Sequence, residues 1–268
     1  MAMTFDPWGA AAVLASVGTF ITTGAFIRDR SVIERLLLLG LFAVLSIPAL
    51  LFALYYWHIV PEMEWFYTIR SFAGSEFLAV FAGCAGGCTA TFLPRWALGF
   101  PLFGVLTLTS IPYLKPLLSP LAPESMHDRW SGDVCLQSTL STCGPASLCT
   151  ILERFGYQAT EGEIARQAYS YTGGTEAWYL ARVARHYGLH PKFDFRPGLP
   201  ADLELPAIIG VRRGIVGGHF IVILSMHGGA VTFADPLGTA LPAIQTQPIA
   251  EFLRLHPLSG FHLSIQRR

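Results

Sequence analysis

A chain of 268 residues that is 52% apolar and only 13% charged carries more apolar weight than an ordinary soluble domain of its size. Its formal net charge is zero, which excludes the basic surface by which proteins hold nucleic acid. Lys115 and Lys192 are its only lysines and neither closes a glycine-rich phosphate loop, so the chain is not itself a P-loop transport ATPase.

Four apolar stretches open the chain, at residues 8–26, 36–56, 77–93 and 96–114. A helix crosses the hydrocarbon core with roughly 17–25 predominantly apolar residues, so the pattern predicts about four transmembrane helices. Trp8, Tyr56, Trp57, Trp65, Tyr67, Trp96 and Tyr113 fall at the predicted ends, where interfacial aromatics collect. Asp6 precedes the first stretch with no Lys or Arg, which argues against a cleaved signal peptide. Arg28, Arg30 and Arg35 sit in the first loop and Arg95 in the third, while the opposite side has Arg70 and Lys115. The positive-inside rule then predicts that the C-terminal part faces outward from the cytoplasm. Gly83 and Gly87 form a G-x-x-x-G pair in the third stretch, beside Cys84 and Cys88, which predicts close helix packing.

Pro112, Pro116, Pro120 and Pro123 punctuate the exit from the last stretch and read as a linker. Beyond it the texture changes to a mixed α+β domain. Helices are predicted at 144–155, after a Thr160–Glu163 capping box, and at 175–187. Strands are predicted at 192–195, 207–211, 219–225, 230–234 and 261–265, with Gly228-Gly229 as a hairpin turn. Helices followed by consecutive antiparallel strands are the α+β order. The expected division is a transmembrane domain at 1–115, a linker at 116–130 and a catalytic domain at 131–268.

Chemistry concentrates in that last part. Cys143 precedes Gly144-Pro145, and proline loses no hydrogen bond in the first turn of a helix, so Cys143 is predicted at a helix N-terminus. Such a position favours a thiolate. Gln137 lies six residues upstream, where its side-chain amide and the Cys143 main-chain N–H make a pair of oxyanion donors. His219 follows Gly217-Gly218 at the mouth of an apolar strand and is placed to act as general base and then acid. Asp235 closes the next strand and, across a regular hairpin, orients the imidazole. Gly144, Tyr171, Gly173, Gly174 and Gly218 are candidate substrate-binding positions, and Trp178 is either a cleft or a core residue. The five cysteines fit no common zinc site, so no metal and no cofactor is expected; Cys135 and Cys149 are either two buried thiols or a bridge.

Residues 137–268 resemble peptidase family C39, the papain-like domains that remove leader peptides at double-glycine sites. The resemblance rests on Gln137 to Ala146 (Gln-Ser-Thr-Leu-Ser-Thr-Cys-Gly-Pro-Ala), Gly173-Gly174-Thr175, Pro206-Ala-Ile, Gly218-His219-Phe220-Ile-Val and Asp235-Pro236-Leu-Gly238. It implies a papain-like cysteine peptidase domain with an antiparallel sheet, Cys143 as nucleophile, His219 as base, Asp235 as orienting acid and Gln137 as oxyanion donor. The expected function is a membrane-anchored thiol peptidase, extracytoplasmic on a bacterial plasma membrane, with a peptide or protein substrate and the lipid bilayer as partners. A separate ABC exporter is a further partner that the resemblance allows, because well-known members are the N-terminal domains of such exporters. A thiol transpeptidase or acyltransferase and a non-catalytic peptide-binding accessory are the alternatives.

Overall fold

The computed structural model describes residues 5–57, 59–213, 217–238 and 242–267. The chain forms two compact units. One comprises Phe5–Glu62 and Ala73–Leu118, the other Met63–Phe72 with Ser119–Arg268.

The first unit is helical. It contains α1 (Pro7–Ile27), α2 (Val32–Leu45), α3 (Ile47–Tyr56), α5 (Phe81–Ala90), α6 (Gly99–Ser110) and α7 (Leu114–Leu118); α4 (Glu64–Arg70) belongs to the other unit. Asp6 caps α1 through the Trp8 main-chain N–H, and Ser31 with Glu34 forms a capping box on α2. Among the described residues, three helical stretches are long and apolar enough to cross a membrane: Pro7–Ile27, Val32–Tyr56 and Arg95–Leu118. The predicted third span differs. A short 3₁₀ turn, Ser75–Ala79, leads into α5, whose ten residues reach about half of the hydrocarbon core. It passes the same test only together with α4, across a bend of 112°. The glycine pair packs as its spacing predicts. A Cβ on Gly83 would lie 2.0 Å from the Ser16 carbonyl oxygen, and one on Gly87 would lie 2.4 Å from that of Phe20. Only glycine lets α1 and α5 approach so closely.

The second unit is α+β. A two-stranded ribbon, β1 (Arg129–Ser131) and β2 (Val134–Leu136), precedes α8 (Cys143–Arg154), α9 (Glu161–Gln167) and α10 (Ala177–His186). Six strands follow: β3 (His190–Asp194), β4 (Ala207–Arg213), β5 (Gly217–His227), β6 (Ala230–Ala234), β7 (Ile244–Pro248) and β8 (Leu258–Gln266), with α11 (Ile249–Leu255) between the last two. They make one antiparallel sheet in the order β3-β8-β4-β5-β6-β7. β5 and β6 are joined by Gly228 and Gly229, both at positive φ, which is what a two-residue hairpin turn demands. Alternate residues of the sheet, Ala207, Ile209, Val211, Ile221, Ile223, Val231 and Phe233, bury one apolar layer with Phe252 of α11.

The ribbon, β7 and α11 were not anticipated. Ile244–Pro248 carries Gln, Thr and Gln at an edge position, so it lacks the apolar alternation by which half-buried strands are recognised. The unit also recruits α4 from far upstream. Phe66 and Tyr67 of α4 are buried, and the Tyr67 ring sits 5.2 Å from Trp178, 5.4 Å from Phe193 and 5.0 Å from Phe195.

Candidate active site

Cys143 is the first residue of α8, with Thr142 as the capping position and Pro145 in the first turn. The seat of this helix is close. A Cβ on Gly144 would stand 2.9 Å from Leu180 of α10 and 3.3 Å from Phe220 of β5. The close seat of the helix against the sheet and α10 favours a small residue here, at a position the sequence also suggests for substrate.

His219 lies on β5 opposite Val211 of β4 and is 6% exposed. The register Val222 with Ala234 sets Asp235 one residue past β6, diagonal to His219 across the hairpin. His219 Nε2 and Asp235 Oδ1 are 2.7 Å apart. The Cys143 thiol lies close enough to the same ring to raise its pKa. Burial pulls the imidazole pKa down, but hydrogen bonds to Asp235 and Cys143, with the charges of both, outweigh it and hold His219 up at about 9. Burial would also raise Asp235. Its bonds to His219 and to the Leu237 main-chain N–H (2.9 Å), with the charges of His219 and Arg213, hold its carboxyl below the usual range instead. Arg213 Nη2 stands 3.4 Å from the second carboxylate oxygen.

Gln137 is 6% exposed and sits just past β2. Its main-chain N–H donates to the Pro236 carbonyl at 2.7 Å, so the residue after Asp235 holds the glutamine arm. One side-chain N–H goes to the Thr139 carbonyl at 2.8 Å, while the buried Oε1 has no hydrogen-bond partner. Glu161, fully buried, accepts from the Ser138 main-chain N–H at 2.8 Å and from the Ser138 hydroxyl. Sequence reasoning missed Glu161, Arg213 and Pro236. Glu161 follows the capping Thr160 and reads locally as a first-turn acid of α9, so nothing in its neighbourhood signals a role on another loop.

Tyr171, Gly173 and Gly174 form a tight turn in which Tyr171 and Gly174 exchange both main-chain hydrogen bonds at 3.0 Å. The Gly173 N–H donates to Ser141 Oγ at 3.0 Å, which sets this turn beside the approach to Cys143. Gly218 is exposed and has open space where a Cβ would point. Trp178 is 2% exposed and belongs to the core. Cys135 and Cys149 are both buried and both free. The neighbouring Cys149 thiol, followed by burial, pushes the Cys135 pKa up. Among the described residues, no group of three or more His, Cys, Asp or Glu is placed to hold a metal ion.

The model of the Peptidase C39 family matches residues 132–254. An uncharacterized protein of Methanothermobacter thermautotrophicus is 35% identical over 106 residues, which are 38% of this chain and 70% of that protein. One of Methanothermobacter marburgensis is 34% identical over 100 residues, covering 37% and 68%. Among solved structures, the peptidase domain of Streptococcus ComA, a bi-functional ABC transporter involved in a quorum sensing pathway, covers 50% of this chain and 98% of its own length, at 17% identity and TM-score 0.44. A double glycine motif protease from an AMS/PCAT transporter, in complex with the leader peptide, covers 50% and 91%, at 24% identity and TM-score 0.42.

Proposed function

The chain belongs to the peptidase C39 family, and from that premise we propose that it is a membrane-anchored thiol peptidase acting through Cys143, His219, Asp235 and Gln137. The observation that carries the reading is the His219 ring, bonded to the Asp235 carboxylate at 2.7 Å, with the Cys143 thiol near enough to raise its pKa.

The proposed sequence starts with transfer of the Cys143 proton to the imidazole. Since Nε2 is committed to Asp235, Nδ1 is the nitrogen left for sulfur. The thiolate attacks the substrate carbonyl, and the oxyanion is met by the second Nε2 hydrogen of Gln137 and the Cys143 main-chain N–H. The imidazolium then gives its proton to the leaving amine, producing an acyl-thioenzyme. Water, activated by the now neutral ring, resolves it and regenerates the thiol. The family supports a substrate class of secreted or membrane-associated peptides cut at a small-residue site of the Gly-Gly kind.

The anchor reading is supported by the three apolar helices. A parity argument extends it. Met63–Phe72 and Ser119–Arg268 fold as one compact unit, so they share one side of the bilayer. The chain between them then crosses an even number of times. If Arg95–Leu118 crosses, an even count asks residues 73–94 to cross as well, although among the described residues only three stretches pass the length and composition test alone. The arginines of the first and third loops favour that shared side lying outside the cytoplasm.

The test is co-expression of the chain with a small precursor peptide carrying a Gly-Gly site, read by mass spectrometry in wild type and Cys143→Ala. Shortened peptide in wild type alone supports hydrolysis; a joined product in place of a shortened one turns the reading to acyl transfer. Identical processing in both would sink the enzyme reading.

A further inference from the structure

Helix α4 presents two apolar faces. Phe66 and Tyr67 point into the aromatic cluster around Trp178, Phe193, Phe195 and Phe261. On the other side, Trp65, Ile69 and Phe72 are 38–51% exposed. Their spacing of i, i+4 and i+7 puts them in one stripe along the helix and its first residues beyond. We propose that this stripe is a lipid-facing surface that seats the peptidase unit on the bilayer interface.

Three observations favour lipid over other occupants. First, the segment is tied to the membrane at both ends: the span Val32–Tyr56 ends seven residues before Met63, and the bent pair resumes at Ser75, three residues after Phe72. So short a connection cannot leave the bilayer surface by more than a few residue lengths, about 3.5 Å each at full extension. Second, the stripe is a tryptophan, an isoleucine and a phenylalanine, the composition of an interfacial face. Third, the segment brings no exposed cation of its own, the nearest being the Arg185 guanidinium of α10, which stacks 4.3 Å over the Phe72 ring. Arg70, the one basic residue of the segment, is fully buried. Insertion is therefore driven mainly by the apolar area of Trp65, Ile69 and Phe72.

The inference rests on the anchored reading and deepens it. α10, which carries Trp178, packs directly against α8, whose first residue is Cys143. A helix wedged between lipid and α10 therefore fixes the height of the reactive thiol above the membrane. The substrate class narrows to peptides whose scissile bond emerges close to the bilayer surface, in preference to freely diffusing ones.

The experiment uses the full chain reconstituted into vesicles of neutral phosphatidylcholine, either plain or brominated near the headgroup end of the acyl chains. Tryptophan emission is compared between wild type and the single substitutions Trp65→Phe, Trp8→Phe, Trp57→Phe and Trp96→Phe, so that each difference isolates one residue. The emission assigned to Trp65 is expected to fall about twofold or more in the brominated vesicles, since an interfacial helix sits roughly 5–10 Å into the headgroup–acyl boundary. Quenching of Trp8, Trp57 and Trp96 with Trp65 unaffected would overturn the interfacial stripe and leave the anchor intact, whether water or a second copy covers the helix. Absence of quenching at all four positions would overturn the anchor and the stripe together.

Discussion

The main-chain N–H of Gln137 donates to the carbonyl of Pro236 at 2.7 Å, joining the start of the glutamine arm to the residue that follows Asp235. The bond spans about a hundred residues of chain and ties the proposed oxyanion donor to the loop that orients the proposed base. On its other side the arm is fastened by Glu161 through Ser138. Gln137, Asp235 and His219 are therefore held as one connected frame around Cys143.

Removing the donor tests one end of that frame. Gln137→Ala is expected to lower kcat by about 10²–10³ with little change in KM, since the interaction is made only as charge develops on the oxygen. Steady-state kinetics on a Gly-Gly-containing peptide reads both parameters. An unchanged kcat would remove Gln137 from the mechanism.

Glu161→Ala tests the other end. It leaves the Ser138 N–H and hydroxyl without their acceptor, which costs about 1–3 kcal/mol. The expected result is a lower midpoint in urea unfolding together with a reduced kcat. Full kcat at reduced stability would show that Glu161 stabilises the unit without positioning Gln137.

The hydrogen bond between His219 and Asp235 sets a pH dependence whose sign is fixed. The His219 pKa lies above its ordinary value, at about 9, so the stabilising contribution of its bonds is complete below about pH 6.5 and is lost as pH rises through about 9. Activity is expected to fall in that same upper range, as the imidazolium needed by the leaving amine disappears. Asp235→Asn removes the carboxylate charge and weakens its charge-assisted hydrogen bond, both of which raise the pKa, so the alkaline limb moves to lower pH. The rate should also fall, on the order of 10²-fold. The pH profile of kcat on a Gly-Gly-containing peptide checks this, and a limb that stays in place would contradict it.

Tyr67 lies outside the family match, yet its ring meets four aromatic partners of the peptidase unit. Tyr67→Ala is expected to destabilise that unit by about 3–5 kcal/mol, as for other large aromatic truncations. Limited proteolysis should then cut within residues 119–268 at lower temperature than in wild type. Equal resistance would show that α4 is dispensable for the fold of the unit.

In the helical unit, Gly83→Leu forces a side chain onto the Ser16 carbonyl, a main-chain atom that cannot swing aside. A loss of about 1–3 kcal/mol or more is expected from such overpacking. Gly40→Ala, where a Cβ meets nothing within 4 Å, serves as the control. Thermal aggregation in detergent should drop for the first variant and not for the second.

Local signals were enough for much of this protein. Proline at the third residue of α8 placed Cys143 at the helix start, the Thr160–Glu163 box placed the start of α9, and the Gly228-Gly229 turn joined β5 to β6. Each is a rule acting within a few residues, set by dihedral preference or by an unpaired N–H, and so it is written in consecutive letters. The apolar stretches are legible for the same reason, since bilayer thickness sets a length that can be counted.

What the sequence left open depends on partners distant along the chain. The polar edge strand β7, the fastening of Gln137 by Pro236 and Glu161, and the adoption of Met63–Phe72 by the C-terminal unit leave no local pattern. Whether a buried carboxylate finds an N–H, or an aromatic ring finds a cluster, is decided by which surfaces the folded chain brings together. Composition and spacing thus named the residues proposed for the chemistry. Packing alone decided what holds them, because burial and hydrogen bonding reward proximity in space, and only the closed chain defines it.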